Sequence, residues 1–447
     1  MNDPRKRELP EPRAEELLAA TLRSESGRIL GVLIRVLGSL EDAEDILQSA
    51  GAVALQRWPT SGLPTRPGAW LTTVAKRKAL DLLRRRRIEQ KLNRRLQEGR
   101  TTSEDQDPYS LLEAWPDERL RLLFFCCHPA LQKRDRLAMT LKEVCGFGIP
   151  ELSRALLISE AATRQRLVRA KRFLKESEAT FSFPEGSDYR RAYSDVLAVI
   201  YLMFNEGYVT TAGPDLADTD VCREAIDLGR MLLSISETEG RPPSAEHLGL
   251  MALMLLIHSR RTARTDTQGL PVLLEDQNRS LWDAQVAREG LRFLDRAVAL
   301  DTPGPYQLKA AINALHCLAA DAGETDWAEI YALYSRLLDF EATSVVLLNR
   351  AVALGMWKGP EAGLTELKVV AKVSGGSLDR YLYYHMARAR FLADTGNGAE
   401  AARAYRRAAE LASNPTEERF IRRRLAETDP SGGAVNRDNP QRPGEQR

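Results

Sequence analysis

The chain has 447 residues, 64 Lys and Arg against 62 Asp and Glu, and 43% hydrophobic residues, which is too long for one core and suggests roughly two to four domains. No apolar run approaches the ~20 residues of a membrane span, and the start, MNDPRKRELPEPR, lacks the apolar centre of a signal peptide. Five cysteines without CxxC spacing argue against a disulfide frame, so the expectation is a cytoplasmic protein with no membrane partner.

Residues 1–13 are charged and proline-bearing and read as disordered. From Ala14 two helices are expected, the first carrying Leu17, Leu18, Thr21 and Leu22, the second Ile29, Leu30, Leu33, Ile34 and Leu37, with Gly38 as its end. Ser39 is placed to cap the next helix, with Asp42 three positions on. That helix buries Ala43, Ile46, Leu47, Ala50, Val53 and Ala54, turns Asp42, Asp45 and Gln48 outward, and is expected to stop at Pro59. The stretch PTSGLPTRPG then reads as a constrained loop before a helix that starts at Trp70.

The helix from Trp70 to Arg87 gathers Leu71, Val74, Ala75, Ala79, Leu82 and Leu83 on one arc and Lys76, Arg77, Arg84 and Arg87 largely opposite. From Trp70 to Arg95 there are ten Lys or Arg against Asp81 and Glu89, a charge suited to phosphate. A solvated helix end whose arginines offset the helix dipole explains this stretch equally well when it is taken alone. Residues 88–114 read as a charged linker.

Helical pattern resumes over residues 115–178 and ends in a helix-turn-helix: a short helix from Glu151 to Leu156, a turn at Leu157 and Ile158, and a second helix capped by Ser159. Thr163, Leu167, Ala170 and Leu174 form its buried stripe. The early residues Glu160, Ala161, Arg164 and Gln165 are placed for base edges, and Arg166, Arg169 and Lys171 for phosphates. A basic helical hairpin that never meets DNA is the alternative for this stretch. Cys126, Cys127 and His128 are adjacent, which makes a poor chelate, so packing is expected there and no metal. No catalytic cluster and no cofactor motif can be assembled from spacing, so no enzyme is expected.

Residues 188–428 read as helices joined by short turns, with a period of 36 to 38 residues from about residue 305 that resembles a stretched tetratricopeptide pattern. Ala351, Leu354, Gly363, Leu367 and Val370 match Ala389, Leu392, Ala401, Tyr405 and Ala408 at a constant offset of 38. Residues 429–447 read as a disordered tail. The expected fold class is all-α: two small helical domains, the second a helix-turn-helix, followed by a helical-repeat domain. Charge divides along the same line. Residues 1–182 hold 33 basic and 25 acidic side chains, net +8, and the other 265 hold 31 and 37, net −6. The basic front suits nucleic acid and the acidic back some other partner, the front included.

The order LGSLEDAEDILQSA, a proline-rich loop, then WLTTVAKRKALDLLRRRR resembles region 2 of bacterial RNA polymerase sigma factors of the extracytoplasmic-function type. The resemblance implies that Asp42, Asp45 and Gln48 face core RNA polymerase and that Trp70, Lys76, Arg77, Arg84 and Arg85 face the minus-ten element of promoter DNA. It also implies that the loop Pro59 to Pro67 captures an unstacked base. The chain departs from the family at Gln48-Ser49-Ala50-Gly51, where Gln-Glu-Ala-Phe is common, and at Ala75-Lys76-Arg77, where Ala-Arg-Asn is frequent. The Ile158-Ser159 pair and the ending Arg166-Leu167-Val168-Arg169-Ala170-Lys171 resemble region 4, the reader of the minus-thirty-five element, with Thr163 where an apolar residue is usual.

YLMFNEGY, LMALMLLIHSRRTAR, EDQNRSLWD, GPYQLKAAINALH, TDWAEIYALY and LNRAVAL resemble the C-terminal extension of one large-sigma subgroup, tetratricopeptide-like and regulatory in place of a separate anti-sigma protein. Asn205, Glu206, Tyr208, Trp327, Asn349 and Arg350 are the regulatory candidates, with Gln277, Arg279, Trp282 and Asp326 beside them. The extension is expected to contact the sigma domains or an unknown protein or ligand. Two other readings stand beside the sigma factor: a polymerase-independent helix-turn-helix regulator, and a helical-repeat scaffold attached to nucleic acid.

Overall fold

The computed structural model describes residues 14–97, 118–128, 131–156, 158–177, 186–208, 219–238, 242–412 and 415–428. Residues 1–13 and 429–447, and the part of the expected linker after residue 97, lie outside the described residues. Among those described the regular structure is helical, with a single isolated bridge between Thr265 and Pro271.

One helix, α1 (Ala14–Leu37), stands where two were expected. The apolar pattern lapses around Ser24 to Gly27, yet the helix continues, because Gly27 and Gly31 face neighbouring backbone. A Cβ on Gly27 would lie 2.5 Å from the Val144 carbonyl oxygen, and one on Gly31 would lie 2.6 Å from that of Glu118. The two glycines, one turn apart, are a docking groove.

In α2 (Leu40–Ser61) the Ser39 hydroxyl accepts the Asp42 amide at 3.2 Å, as the capping pattern required. Pro59 does not stop the helix; it lies in the last turn, where it gives no N–H to the carbonyl of Leu55 four residues back. Termination comes from Gly62, at φ 87°, whose N–H donates to the Trp58 carbonyl. Helix α3 (Pro67–Gln97) begins earlier than expected because proline suits the first helical position, and it runs past Arg87 to Gln97. The loop is therefore only residues 62–66. Leu71, Ala75 and Ala79 are buried against the core, and Trp58 and Trp70 meet edge to face at 5.5 Å.

Helices α4 (Glu118–Cys126), α5 (Lys133–Glu143), α6 (Ile149–Leu156) and α7 (Glu160–Glu176) follow. Ser159 caps α7 by accepting the Ala162 amide at 3.2 Å, and its buried residues are Thr163, Leu167, Ala170 and Leu174, the stripe read from sequence. Cys126 and Cys127 are fully buried, and burial pushes the Cys127 thiol up to about 12, with its Sγ 3.8 Å from the Thr140 hydroxyl. They pack as small apolar side chains.

Helix α8 (Gly186–Tyr208) carries the division between two compact units, Met1–Met203 and Phe204–Arg447. Its first part, read from sequence as the start of the back half, packs in the first unit. Tyr189 stacks on Phe124 at 5.8 Å, and Asp195 pairs with Arg136.

The second unit contains α9 (Thr219–Thr238), α10 (Ala245–His258), α11 (Ala284–Val298), α12 (Pro305–Leu318) and α13 (Trp327–Leu337). Then come α14 (Ser344–Lys358), α15 (Pro360–Val373), α16 (Leu382–Asp394), α17 (Gly398–Glu410) and α18 (Pro415–Thr428). Helix α10 is buried nearly all round, as its unbroken apolar run requires. The pairs α14–α15 and α16–α17 start 38 residues apart, the offset read from sequence. Ala351 and its counterpart Ala389 are both fully buried, and the Phe391 ring fills the space left by Gly355 and Gly363.

Candidate nucleic-acid interface

On α3 the basic residues divide into two sets. Arg77, Arg84 and Arg85 are exposed, while Lys76 and Trp70 are half-buried. Arg84 pairs along the helix with Asp81 at 3.4 Å, both more than 60% exposed, a contact worth little in water. Arg86 and Lys78 reach across to α2 instead. The Arg86 guanidinium donates to both oxygens of Asp42, at 2.7 and 2.8 Å, and Lys78 donates to the Ser49 hydroxyl at 2.8 Å. These two staple α3 to α2, and the bidentate pair holds the Asp42 carboxyl below the usual carboxylate range. Asp42 is thus engaged internally, and Asp45 and Gln48 stand exposed on α2.

On α7 the first turns present Glu160, Ala161, Arg164, Gln165 and Arg169 to solvent, with Glu160 and Arg164 paired at 2.8 Å. The other two residues assigned to phosphates from sequence turn inward. Arg166 reaches Asp135 of α5 at 3.0 Å, and both side chains are 14% exposed. Lys171 pairs with Glu44 of α2 and with Glu143 of α5, the latter at 3.0 Å, and Lys175 reaches Glu41 at 2.5 Å. Burial pushes the Glu143 carboxyl up to about 7, against the pull of the Lys171 ammonium. These pairings leave no local signal, because their partners stand 28 to 134 positions away.

Residues 22–88 match the family Sigma-70 region 2, and residues 121–174 match Sigma-70, region 4. Residues 192–298 match a family of unknown function, DUF6596. The chain is 39% identical over 398 residues to "Uncharacterized protein R00370" of Rhizobium meliloti, covering 89% of this chain and 92% of that one. It is 30% identical over 197 residues to "ECF RNA polymerase sigma factor SigJ" of Mycobacterium tuberculosis, covering 43% of this chain and 61% of that protein. No solved structure matches the chain.

Two sigma-70 regions in order, with the similarity to an ECF sigma factor, support an ECF-type sigma factor with a C-terminal extension. Helix α2 of this sigma factor and α3 as far as Ile88 fall inside the region 2 match, and α5 to α6 and most of α7 inside the region 4 match. Beyond them the sigma factor carries a helical C-terminal extension.

The regulatory candidates do not converge on one place in the extension. Tyr208 lies under the Arg264 guanidinium, 3.3 Å from its ring centre, and its carbonyl accepts from Arg264 at 2.8 Å. Arg350 pairs with Glu366 at 2.6 Å inside the α14–α15 hairpin, Asn349 is exposed, and Asn205 is half-buried. The Glu206 side chain lies outside the described residues. Trp327 meets His316 edge to face at 5.3 Å and lines a cavity of about 410 Å³ with Arg279, Glu275, Met356 and Arg390. Asp326 caps α13 by accepting the Glu329 amide, and Gln277 donates to the Val272 carbonyl. Arg279 donates to the His316 and Ala319 carbonyls, closing the C-terminal end of α12, and its guanidinium lies 4.9 Å from the Trp282 ring centre. Most of these polar positions hold the extension together.

Proposed function

We propose that this sigma factor binds core RNA polymerase through the exposed face of α2 around Asp45 and Gln48. It reads the minus-ten element with Trp70, Lys76, Arg77, Arg84 and Arg85, and the minus-thirty-five element with the start of α7. The extension regulates these steps by meeting the sigma domains or a separate protein or ligand. The chain makes no bond; strand opening is binding chemistry, in which captured bases repay an unstacking cost of a few kcal/mol each. The observation that carries the reading is the pairing of two sigma-region matches, in order, with an exposed basic α3 and a side-chain-capped α7.

The roles divide testably. Arg164→Ala is expected to relax base preference at one minus-thirty-five position, at a cost of about 1–3 kcal/mol, because base-edge contacts carry sequence information. Arg169→Ala is expected to weaken binding uniformly and to lower the salt slope by about one. Both are measured with core polymerase on a randomised promoter library. Unaltered selection by Arg164→Ala would remove that residue from base reading.

A further inference from the structure

The loop between α10 and α11 is fastened to the helices of the repeat. Glu275 pairs with Arg390 of α16 at 2.7 Å, Asp276 with Arg424 of α18 at 2.6 Å, and Asp266 with Arg423 of α18 at 3.6 Å. Arg279, further along the same loop, donates to the carbonyls that end α12. Between the loop and the repeat remains the cavity of about 410 Å³ that Trp327 lines, a size usual for small-molecule sites.

Its walls are largely apolar, with Leu273 and Leu274 from the loop and Trp327 and Met356 from the repeat. Its two cationic sides differ in how their charge is met. At the α16 side Arg390 lies between two carboxylates, Glu275 at 2.7 Å and Asp394 at 3.7 Å, so its charge is offset. At the α12 side Arg279 donates only to neutral carbonyls. Behind it stands Arg260, whose guanidinium lies 5.7 Å from the centre of the Trp282 ring that Arg279 also approaches. Arg260 is 5% exposed, donates to the neutral Asn313 amide oxygen at 2.7 Å, and leaves its buried Nε without a partner. Neither guanidinium pairs with a carboxylate among the described residues. His316, which lines the cavity here, adds no charge at neutral pH, because burial and the cations of Arg260 and Arg279 push its imidazole down to about 4. Guanidiniums stay charged, and cations out of water without a counter-charge are costly, so an anion entering from the cavity meets an existing deficit.

We infer that this cavity is a binding site for a small organic acid with an apolar body, of which an aromatic carboxylate is the simplest kind. The carboxylate meets Arg279 at the α12 side, and the ring lies against Trp327, Met356 and the two leucines of the loop. An inorganic anion would answer the charge and leave the apolar walls wet, which is why the apolar body belongs to the assignment. The ligand touches both the loop and the repeat, so its binding adds to what holds them together. Its use as a regulatory input rests on the proposed function; the site itself does not.

Equilibrium dialysis of the full chain tests this with benzoate, phenylacetate and indole-3-acetate, each beside its neutral amide, and with inorganic phosphate. At least one carboxylate is expected to bind about tenfold more tightly than its amide and than phosphate. Met356→Trp fills the cavity, leaves every charge in place and should abolish binding. Arg279→Met should weaken the carboxylate about tenfold and leave the amide unchanged. Should that variant unfold for want of its α12 contacts, the difference between acid and amide and the effect of Met356→Trp still decide. Equal affinity for acids and amides, binding that survives Met356→Trp, or no retention of any carboxylate at millimolar concentration overturns the site. Transcription with core polymerase is measured with and without the acid that binds. A bound acid that leaves transcription unchanged upholds the site and removes its regulatory use, whereas absence of core-dependent transcripts in both conditions removes the sigma reading and leaves the site standing.

Discussion

Asp195→Ala is expected to destabilise the first unit by about 3–5 kcal/mol, the cost of leaving a buried cation without its partner. Arg136 is 5% exposed, and Asp195 of α8 supplies its counter-charge at 13% exposure. Burial already pulls the Arg136 pKa down, so the ion stays charged against its surroundings. A matched apolar replacement of both partners, Arg136→Met with Asp195→Leu, should recover much of the loss, because the expense lies in the orphaned charge. Denaturant unfolding monitored by hydrogen exchange in α4 and α5 checks both. A change of less than 1 kcal/mol in the single variant would show that Arg136 finds water or another partner.

This pair alters how truncations are designed. A chain cut after residue 182, the natural boundary by sequence, also loses residues 186–203, which the first unit uses. Such a chain is expected to lose promoter activity through unfolding, whatever the extension does. A cut placed after Met203 keeps Asp195 and Tyr189 and isolates the regulatory effect.

Gly355→Val is expected to destabilise the repeat by about 1–3 kcal/mol or more, as overpacking does in a filled core. A Cβ at Gly355 would lie 2.4 Å from the Phe391 ring, and one at Gly363 would lie 2.6 Å from the same ring and 2.8 Å from the Gly355 backbone. Three helices thus meet at one aromatic ring, and none can retreat without exposing it. Calorimetry on the full chain should show the transition of the second unit lowered by about 2–4 °C per kcal/mol. Pairing the change with Phe391→Ala should cost less than the two losses added, since the ring is what the new side chain strikes. Simple additivity would mean that the helices already have slack.

Where a local rule decided the matter, the sequence was readable. The caps at Ser39 and Ser159, the buried stripe of α7 and the 38-residue offset of α14–α17 each depend on residues a few positions apart or on a repeated pattern. Element ends were less readable. Pro59 and Pro67 are breakers in general, yet one is tolerated in a last turn and the other is favoured at a first position. The lapse near Gly27 read as a break because its purpose, close approach by another segment, is invisible in one dimension. The basic run of α3 likewise could not show which arginine reaches across to α2: Arg86 finds a partner 44 residues away. Lys171 was assigned to phosphate by its place on α7, and only the fold brings Glu44 and Glu143 to it.

The most direct measurement is transcription from a promoter library by core RNA polymerase supplied with the purified full chain. A sigma factor of this build should comigrate with core and yield start-site-specific transcripts from promoters carrying two spaced elements. A chain that neither comigrates with core nor directs specific starts would contradict the account.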